Sequence, residues 1–524
     1  MSSWIFAGQL ILTALGNDVS TAQDVAGNID RRLSERWQAN AVVAAPLADD
    51  AEFLRRVSLD LIGRIPTSQE VRSFLHDADP EKRARIIDRL LADPQHAEHF
   101  ARVWRALLLP EANSDRQIQY FQPGLEAWLR NCRQEQLGFD EIVRRLLTVP
   151  IAGTETSPQL VLKDLRGPNP IAFIASKEAD PAKLAASTTR LFLGVRLECA
   201  QCHDHPFDSW TQHQFWNQAA FFAGIERRGK GPFAPVLEVA DRRTIAVMDK
   251  PTTVPALYLD GSTPTFAEND LARKSLAEWI TSPENPYFAT AIVNRIWGEL
   301  MGRGIVEPVD DFHAGNPPSH PELLAELAGA FKGSHYDLLF LYRSICLSEA
   351  YQRTSHQTDE SQRENFLFAR KIVKPMSGEQ FFDSLVLAIS YPYIDHSKQN
   401  ARPYDPEKDG VRRKFLDLFS TLEQSGDPET SVLQALTLMN GELINEAVGT
   451  ESGRVLQELS NDSAQTTAQR IDELYLRTFS RNPTDDEQLK LIAYIEKSGT
   501  AEHSQRLGDI FWMLLNSAEF RWNH

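Results

Sequence analysis

The sequence predicts a mainly α fold: two multi-helix domains with a small β-rich insert between them. Three observations carry this. Apolar residues recur at helical spacing along most of the chain, behind residues suited to helix caps. One stretch, residues 226–265, breaks that rhythm with prolines and short alternating runs. At 524 residues the chain also exceeds what one ordinary core serves. The expected division is a leader and mobile segment (1–44), an N-terminal helical domain (45–225), the insert (226–265) and a C-terminal helical domain (266–524).

The expected leader rests on Trp4 to Gly16, an apolar run too short to span a bilayer. It resembles the core of a secretory signal, although no Lys or Arg precedes it. The expectation is a periplasmic or otherwise extracytoplasmic protein without a transmembrane segment. A net charge of -17 argues against nucleic acid as a partner, because counterion release needs a basic face.

The first helix signal is Phe53, Leu54, Val57, Leu61 and Ile62. Thr67 and Glu70 then form a capping box after Pro66, and Thr484 with Glu487 repeats it near the other end. Asp79-Pro80 and Asp93-Pro94 each read as an N-cap followed by proline at the first helical position. His96 and His99, in the first turns after Asp93, read as surface or capping residues. In the insert, Val236–Val239, Thr244–Met248 and Ala256–Leu259 read as short antiparallel strands. Helical patterning resumes with Leu271, Leu276 and Trp279 and runs, with interruptions, to Phe520.

The chemistry concentrates in Leu197-Glu198-Cys199-Ala200-Gln201-Cys202-His203-Asp204-His205-Pro206-Phe207. This holds two of four cysteines; the others, Cys132 and Cys346, sit in apolar helical patterns and read as buried small hydrophobes. C-x-x-C-H is the spacing that attaches a c-type haem, two thioethers anchoring the ring and the histidine facing the iron. Two other readings stay open. Cys199 and Cys202 with His205 and His213 make a plausible tetrahedral zinc set. Reduced thiols packed in a core are the bland alternative. For a second iron ligand, Met248, Met301, Met376 and Met439 are candidates by type alone.

A second constellation is Asp310, Asp311, His313 and His320, with Arg303 nearby in a Gly/Pro-rich loop. Such carboxylates could hold a hard cation or act as acid and base in a polysaccharide hydrolase. The structural reading is that they cap turns and point apart. Asn294 and Arg295, beside Trp297, read as a buried hydrogen-bonded pair. No phosphate loop, G-x-S-x-G elbow or H-E-x-x-H is present, which argues against the common nucleotide-dependent enzymes, elbow-type hydrolases and zincins.

The chain resembles the planctomycete-type cytochrome-like domain family fused to its companion C-terminal domain family, both of unknown function. FLRRVSLDLIGRIPTSQEV, RLLADPQHAEHFARVW and FLGVRLECAQCHDHPFDSWTQHQF carry the first resemblance. LAEWITSPENPYFATAIVNRIWGELMGRGIVEPVDDFHAGNPPSHPELL, YDLLFLYRSICLSEAYQRTS, VLQALTLMNGELI and LNSAEF carry the second. The resemblance implies haem attachment and ligation at Cys199, Cys202 and His203, and export. One departure is that Ser425–Ser431 lacks a cysteine that relatives often carry there. The leading expectation is an exported monohaem electron-transfer protein serving a partner oxidoreductase, with carbohydrate oxidation as one setting. A metal-assisted hydrolase or lyase on extracellular polysaccharide, with structural zinc, is the alternative. A non-catalytic surface or assembly scaffold is the third.

Overall fold

The computed structural model describes residues 20–151, 167–206, 208–267, 270–392, 410–419, 432–497, 499 and 502–524. The leader run Trp4 to Gly16, Phe207 of the cysteine motif and the Ser425–Ser431 stretch lie outside them. The fold is mainly α, and among the described residues the strands form three two-stranded antiparallel ribbons. Two ribbons, Ile225–Arg227 with Val236–Glu238 and Thr244–Ala246 with Thr253–Pro255, fall in the expected insert apart from Ile225, and the strand expected over Ala256–Leu259 forms instead at Thr253–Pro255. The third pairs Lys374–Pro375 with Trp522–Asn523 and has no signature in the sequence. Among the described residues no helix is long and apolar enough to cross a membrane.

Residues 20–44, expected to be mobile, instead open with a helix, Ala22–Ala39, capped by a Thr21–Asp24 box. Val25, Ile29, Leu33 and Trp37 recur every fourth residue and are buried. Beyond the small Ala22 and Ala26 the stripe is one residue wide, so the polar residues around it mask it in a composition reading. That helix packs on Leu338–Leu347, from the far side of the β ribbons. One apolar core accordingly runs from Val25 to Ala369, and a second gathers residues from Met376 to Phe520.

The Asp50–Ile62 helix joins the two. It is buried on nearly every face, and its Leu59 belongs to the second core while Phe53 and Val57 belong to the first. Arg55 and Arg56 are fully buried here. Burying a guanidinium is costly unless its donors are met. Arg55 donates to the carbonyls of Thr478 (2.8 Å) and Phe520 (2.9 Å), and Arg56 to those of Tyr351 (2.7 Å) and Arg353 (2.8 Å). Arg56 also pairs with Glu52 at 2.7 Å. Three distant segments are thereby pinned to one helix.

The caps at Thr67, Asp93 and Thr484 form as the sequence predicts. Asp79 does not cap: the next helix, Lys82–Ala92, starts later, and Asp79 accepts from the Glu81 amide in the turn before it.

Candidate functional site

The chain reaches the cysteine motif through Gly194, whose φ of 69° turns it out of the preceding helix. A Cβ there would sit 2.6 Å from the Phe312 ring, and the Phe312 amide donates to the Gly194 carbonyl at 2.9 Å. Glu198–Gln201 then winds one 3₁₀ turn, and Cys202 closes it. The Gln212–Ala219 helix, opened by a Thr211–Gln214 capping box, holds this turn from behind. Gln212 Nε2 donates to the carbonyls of Gln201 (3.2 Å) and Cys202 (3.0 Å), and Trp216 Nε1 donates to Gln201 (3.0 Å). The Gln212 amide donates to the Asp204 carboxylate at 2.8 Å.

Cys199 and Cys202 are both exposed, whereas Cys132 and Cys346 are buried. The reading of Cys199 and Cys202 as packed core thiols is therefore corrected: the turn shows them to solvent because its apolar member, Ala200, takes the inward place. His203 is exposed as well, and its Nδ1 lies 2.8 Å from the Asp204 carbonyl. A carbonyl only accepts, so Nδ1 carries the proton and Nε2 presents its lone pair outward. Haem-ligating histidines use the same tautomer arrangement, in which a backbone carbonyl orients the ring. Two free thiols at the right spacing and a histidine with an available Nε2 fit the anchor-and-ligand chemistry of haem c. His205 is half-buried and His213 exposed. Among the described residues no three His, Cys, Asp or Glu side chains are gathered to hold a metal, so the zinc set is not assembled.

The loop after the Phe288–Met301 helix is fastened by Asn294, which is fully buried. Its Nδ2 donates to Val306 (2.8 Å) and Val309 (3.0 Å), and its Oδ1 accepts from the Val306 amide (2.9 Å). Asp310 is thereby presented to three arginines. Its Oδ1 accepts from both Nη2 (2.6 Å) and Nε (2.9 Å) of Arg196, and its carboxylate lies 3.6 Å from Arg190 and 4.0 Å from Arg295. Asp311 faces the other way, toward His313 Nε2 at 3.8 Å. His320 leaves the group entirely. It is buried against Phe368, and burial lowers its pKa to about 4. The four residues thus split three ways, and Asp310 brings its loop against the cysteine motif. Arg303 is half-buried, and no ion pair involves it among the described residues. Trp297 packs edge-on to Phe368. Of the methionines, Met301 and Met376 are buried and Met248 and Met439 exposed.

A third cluster escaped the sequence reading. A cavity of about 360 Å³ lies between the Asp50–Ile62, Pro94–Leu108 and Phe288–Met301 helices and the Lys374–Gln380 segment. Asp60 is buried in it, bonded to Lys374 Nζ (2.7 Å), the Tyr351 hydroxyl (2.8 Å) and Asn523 Nδ2 (2.8 Å). Glu299 accepts from the Tyr342 hydroxyl at 3.0 Å, and burial pushes its carboxyl up to about 7. His96 and His99, expected at the surface, are both buried. The helix rolls its first turn inward because Pro94 and Asp93 orient it over Leu61, whose carbonyl accepts a hydrogen bond from His96 Nδ1 at 2.8 Å. His99 lies over Gly63, lines the cavity, and burial lowers its pKa to about 3. The one available signal was polar residues on apolar helix faces: Asp60 within SLDLI, His99 within HFARVW and Glu299 within WGELM.

This is the architecture of a helical protein bearing an exposed C-x-x-C-H turn. Residues 28–227 match the family model PSCyt2, described as protein of unknown function (DUF1549). Residues 272–426 and 417–495 match PSD1, protein of unknown function (DUF1553). The chain carries the two families in tandem. The stretch between the matches holds three of the four strands of the first two ribbons. No curated protein and no solved structure matches the chain.

Proposed function

We propose that the chain is an exported c-type cytochrome-like protein that carries one covalent haem and passes electrons to or from a partner oxidoreductase. Cys199 and Cys202 are the thioether anchors and His203 Nε2 is the axial ligand. The observation that carries this is the contrast among the cysteines: the C-x-x-C-H pair is exposed beside an oriented histidine, and the other two are buried. A bound haem would supply one-electron redox chemistry at iron. The protein's own part is to hold the turn rigid through Gln212 and Trp216, and to fix the His203 tautomer through the Asp204 carbonyl. Export is read from the apolar Trp4 to Gly16 run, and oxidation of carbohydrate is one setting for such a carrier.

The test is the full chain made in a host with cytochrome c maturation. A Soret band that survives acid–acetone extraction and disappears in the Cys199→Ser, Cys202→Ser variant is expected. A colourless protein with both thiols still free would overturn the proposal.

A further inference from the structure

The cavity beneath the Asp50–Ile62 helix shares none of its lining residues with the cysteine turn, and the proposal above makes no use of it. Its volume, about 360 Å³, falls within the range of small-molecule sites. Its polar wall is unusual in which groups are already matched. Lys374 holds Asp60 at 2.7 Å. Arg105 holds Glu126 at 3.0 Å and Glu379 at 2.7 Å, and Arg102 pairs with Asp383. An ionic ligand would have to strip one of these buried partners, and an abandoned buried charge is far costlier than the pair it leaves.

Two groups differ. His99 is only 8% exposed and lines the hollow, and no hydrogen bond to either ring nitrogen is formed among the described residues. The imidazole thus keeps donor and acceptor capacity free for a molecule in the hollow. Glu299 is half-buried with a tyrosine hydroxyl on its carboxyl, and it makes no ion pair with a cationic side chain among the described residues. Near neutral pH a fraction of it keeps its proton, so it can donate as well as accept. Val103, Leu107, Pro375 and Met376 supply apolar surface between the polar groups. Uncharged donors and acceptors set among C–H surfaces match a hydroxylated ring better than an ion.

We propose that this cavity is a binding site for a small, uncharged, hydroxyl-rich molecule of the sugar class, with His99 and Glu299 as its hydrogen-bonding contacts. The recognition is by exclusion of charge as much as by contact. Any ionised group on the ligand would compete with the Asp60–Lys374 pair.

Titration calorimetry on the full chain tests it, with D-glucose and cellobiose as uncharged probes and D-glucuronate and D-glucosamine as their charged counterparts. At least one uncharged probe should bind, at least tenfold more tightly than either charged one. His99→Gln should weaken it tenfold or more. In case that variant fails to fold, Ala106→Trp fills the hollow from its half-buried rim and should abolish binding with His99 in place. No binding of either uncharged probe at millimolar concentration, preference for a charged probe, or undiminished binding by Ala106→Trp would each overturn the proposal.

Discussion

Arg196 and Asp310 stand 114 residues apart and meet through two hydrogen bonds of 2.6 and 2.9 Å. The first lies three residues before Cys199, in the PSCyt2 match; the second closes the loop after the Phe288–Met301 helix, in the PSD1 match. The two constellations that look separate in sequence are therefore one surface. A carboxylate from the second family region neutralises the arginines beside the cysteine turn of the first.

Removing that carboxylate should cost more than removing its nearest partner. Arg196 is 43% exposed, so water screens its share and Arg196→Ala should cost under about 1 kcal/mol. Asp310 also faces Arg295, which is buried, and Asp310→Asn leaves that guanidinium short of a countercharge. The expected loss is about 1–2 kcal/mol, below the figure for fully buried pairs because the site is partly wet. Urea unfolding of the two variants gives the order; equal losses would contradict it.

The thiols give a count. In the protein without haem, Cys199 and Cys202 are exposed and should react with a thiol reagent in native buffer, whereas Cys132 and Cys346 are buried and should react only on unfolding. Burial raises the Cys132 thiol to about 12 and Cys346 further still, which removes reactive thiolate as well as access. Two thiols titrating before denaturant and four after is the expected result.

Much of this fold is legible in the sequence because its signals are local. The capping boxes at Thr67 and Thr484 and the β texture of residues 226–265 involve neighbours within a few positions. What is illegible depends on distant partners. The Lys374–Pro375 ribbon exists because Trp522–Asn523 arrives beside it, and Asp60 becomes a site residue because Lys374 and Tyr351 converge on it. His99 looks like a first-turn surface residue until the Asp50–Ile62 helix is laid against it. The cysteine turn was the easy case, since its ligands lie within five consecutive residues.

Glu299 makes a pH-dependent prediction. Its folded pKa, about 7, lies above the ordinary carboxyl value of 4.5, so folding favours the protonated form. Below about pH 4.5 both states are protonated and no penalty exists. Between about pH 4.5 and 7 the unfolded chain ionises while the folded carboxyl keeps its proton, so stability falls by up to about 3 kcal/mol and levels off above 7. Glu299→Gln removes the ionisation. It should match the native protein near pH 4.5 and exceed it at pH 8, by urea midpoints at the two values. The buried histidines act in the opposite direction. His96, His99 and His320 have folded values of about 4, 3 and 4, so the stability they contribute is present above 6.5 and lost as pH falls toward 4. Measured as a difference between variant and native protein at each pH, the Glu299 effect is separated from theirs.

Asn294 is where the shared surface is most vulnerable to a single change. Its amide meets the Val306 amide and the carbonyls of Val306 and Val309, three backbone groups in a loop with no regular structure of its own. Asn294→Ala leaves them unpaired in a buried place, at about 1–3 kcal/mol for a buried group without a partner, less whatever the loop recovers by moving. A net loss of about 2–4 kcal/mol is expected. The diagnostic measurement is a double-mutant cycle with Asp310→Asn. Asp310 follows Val309 directly, so once the loop is released its carboxylate no longer stands against Arg196 and Arg295, and its removal should then cost little. The two losses should sum to clearly more than the double variant shows, a coupling of about 0.5 kcal/mol or greater. Additive losses would mean that Asp310 keeps its place without Asn294, and that the loop is held from elsewhere.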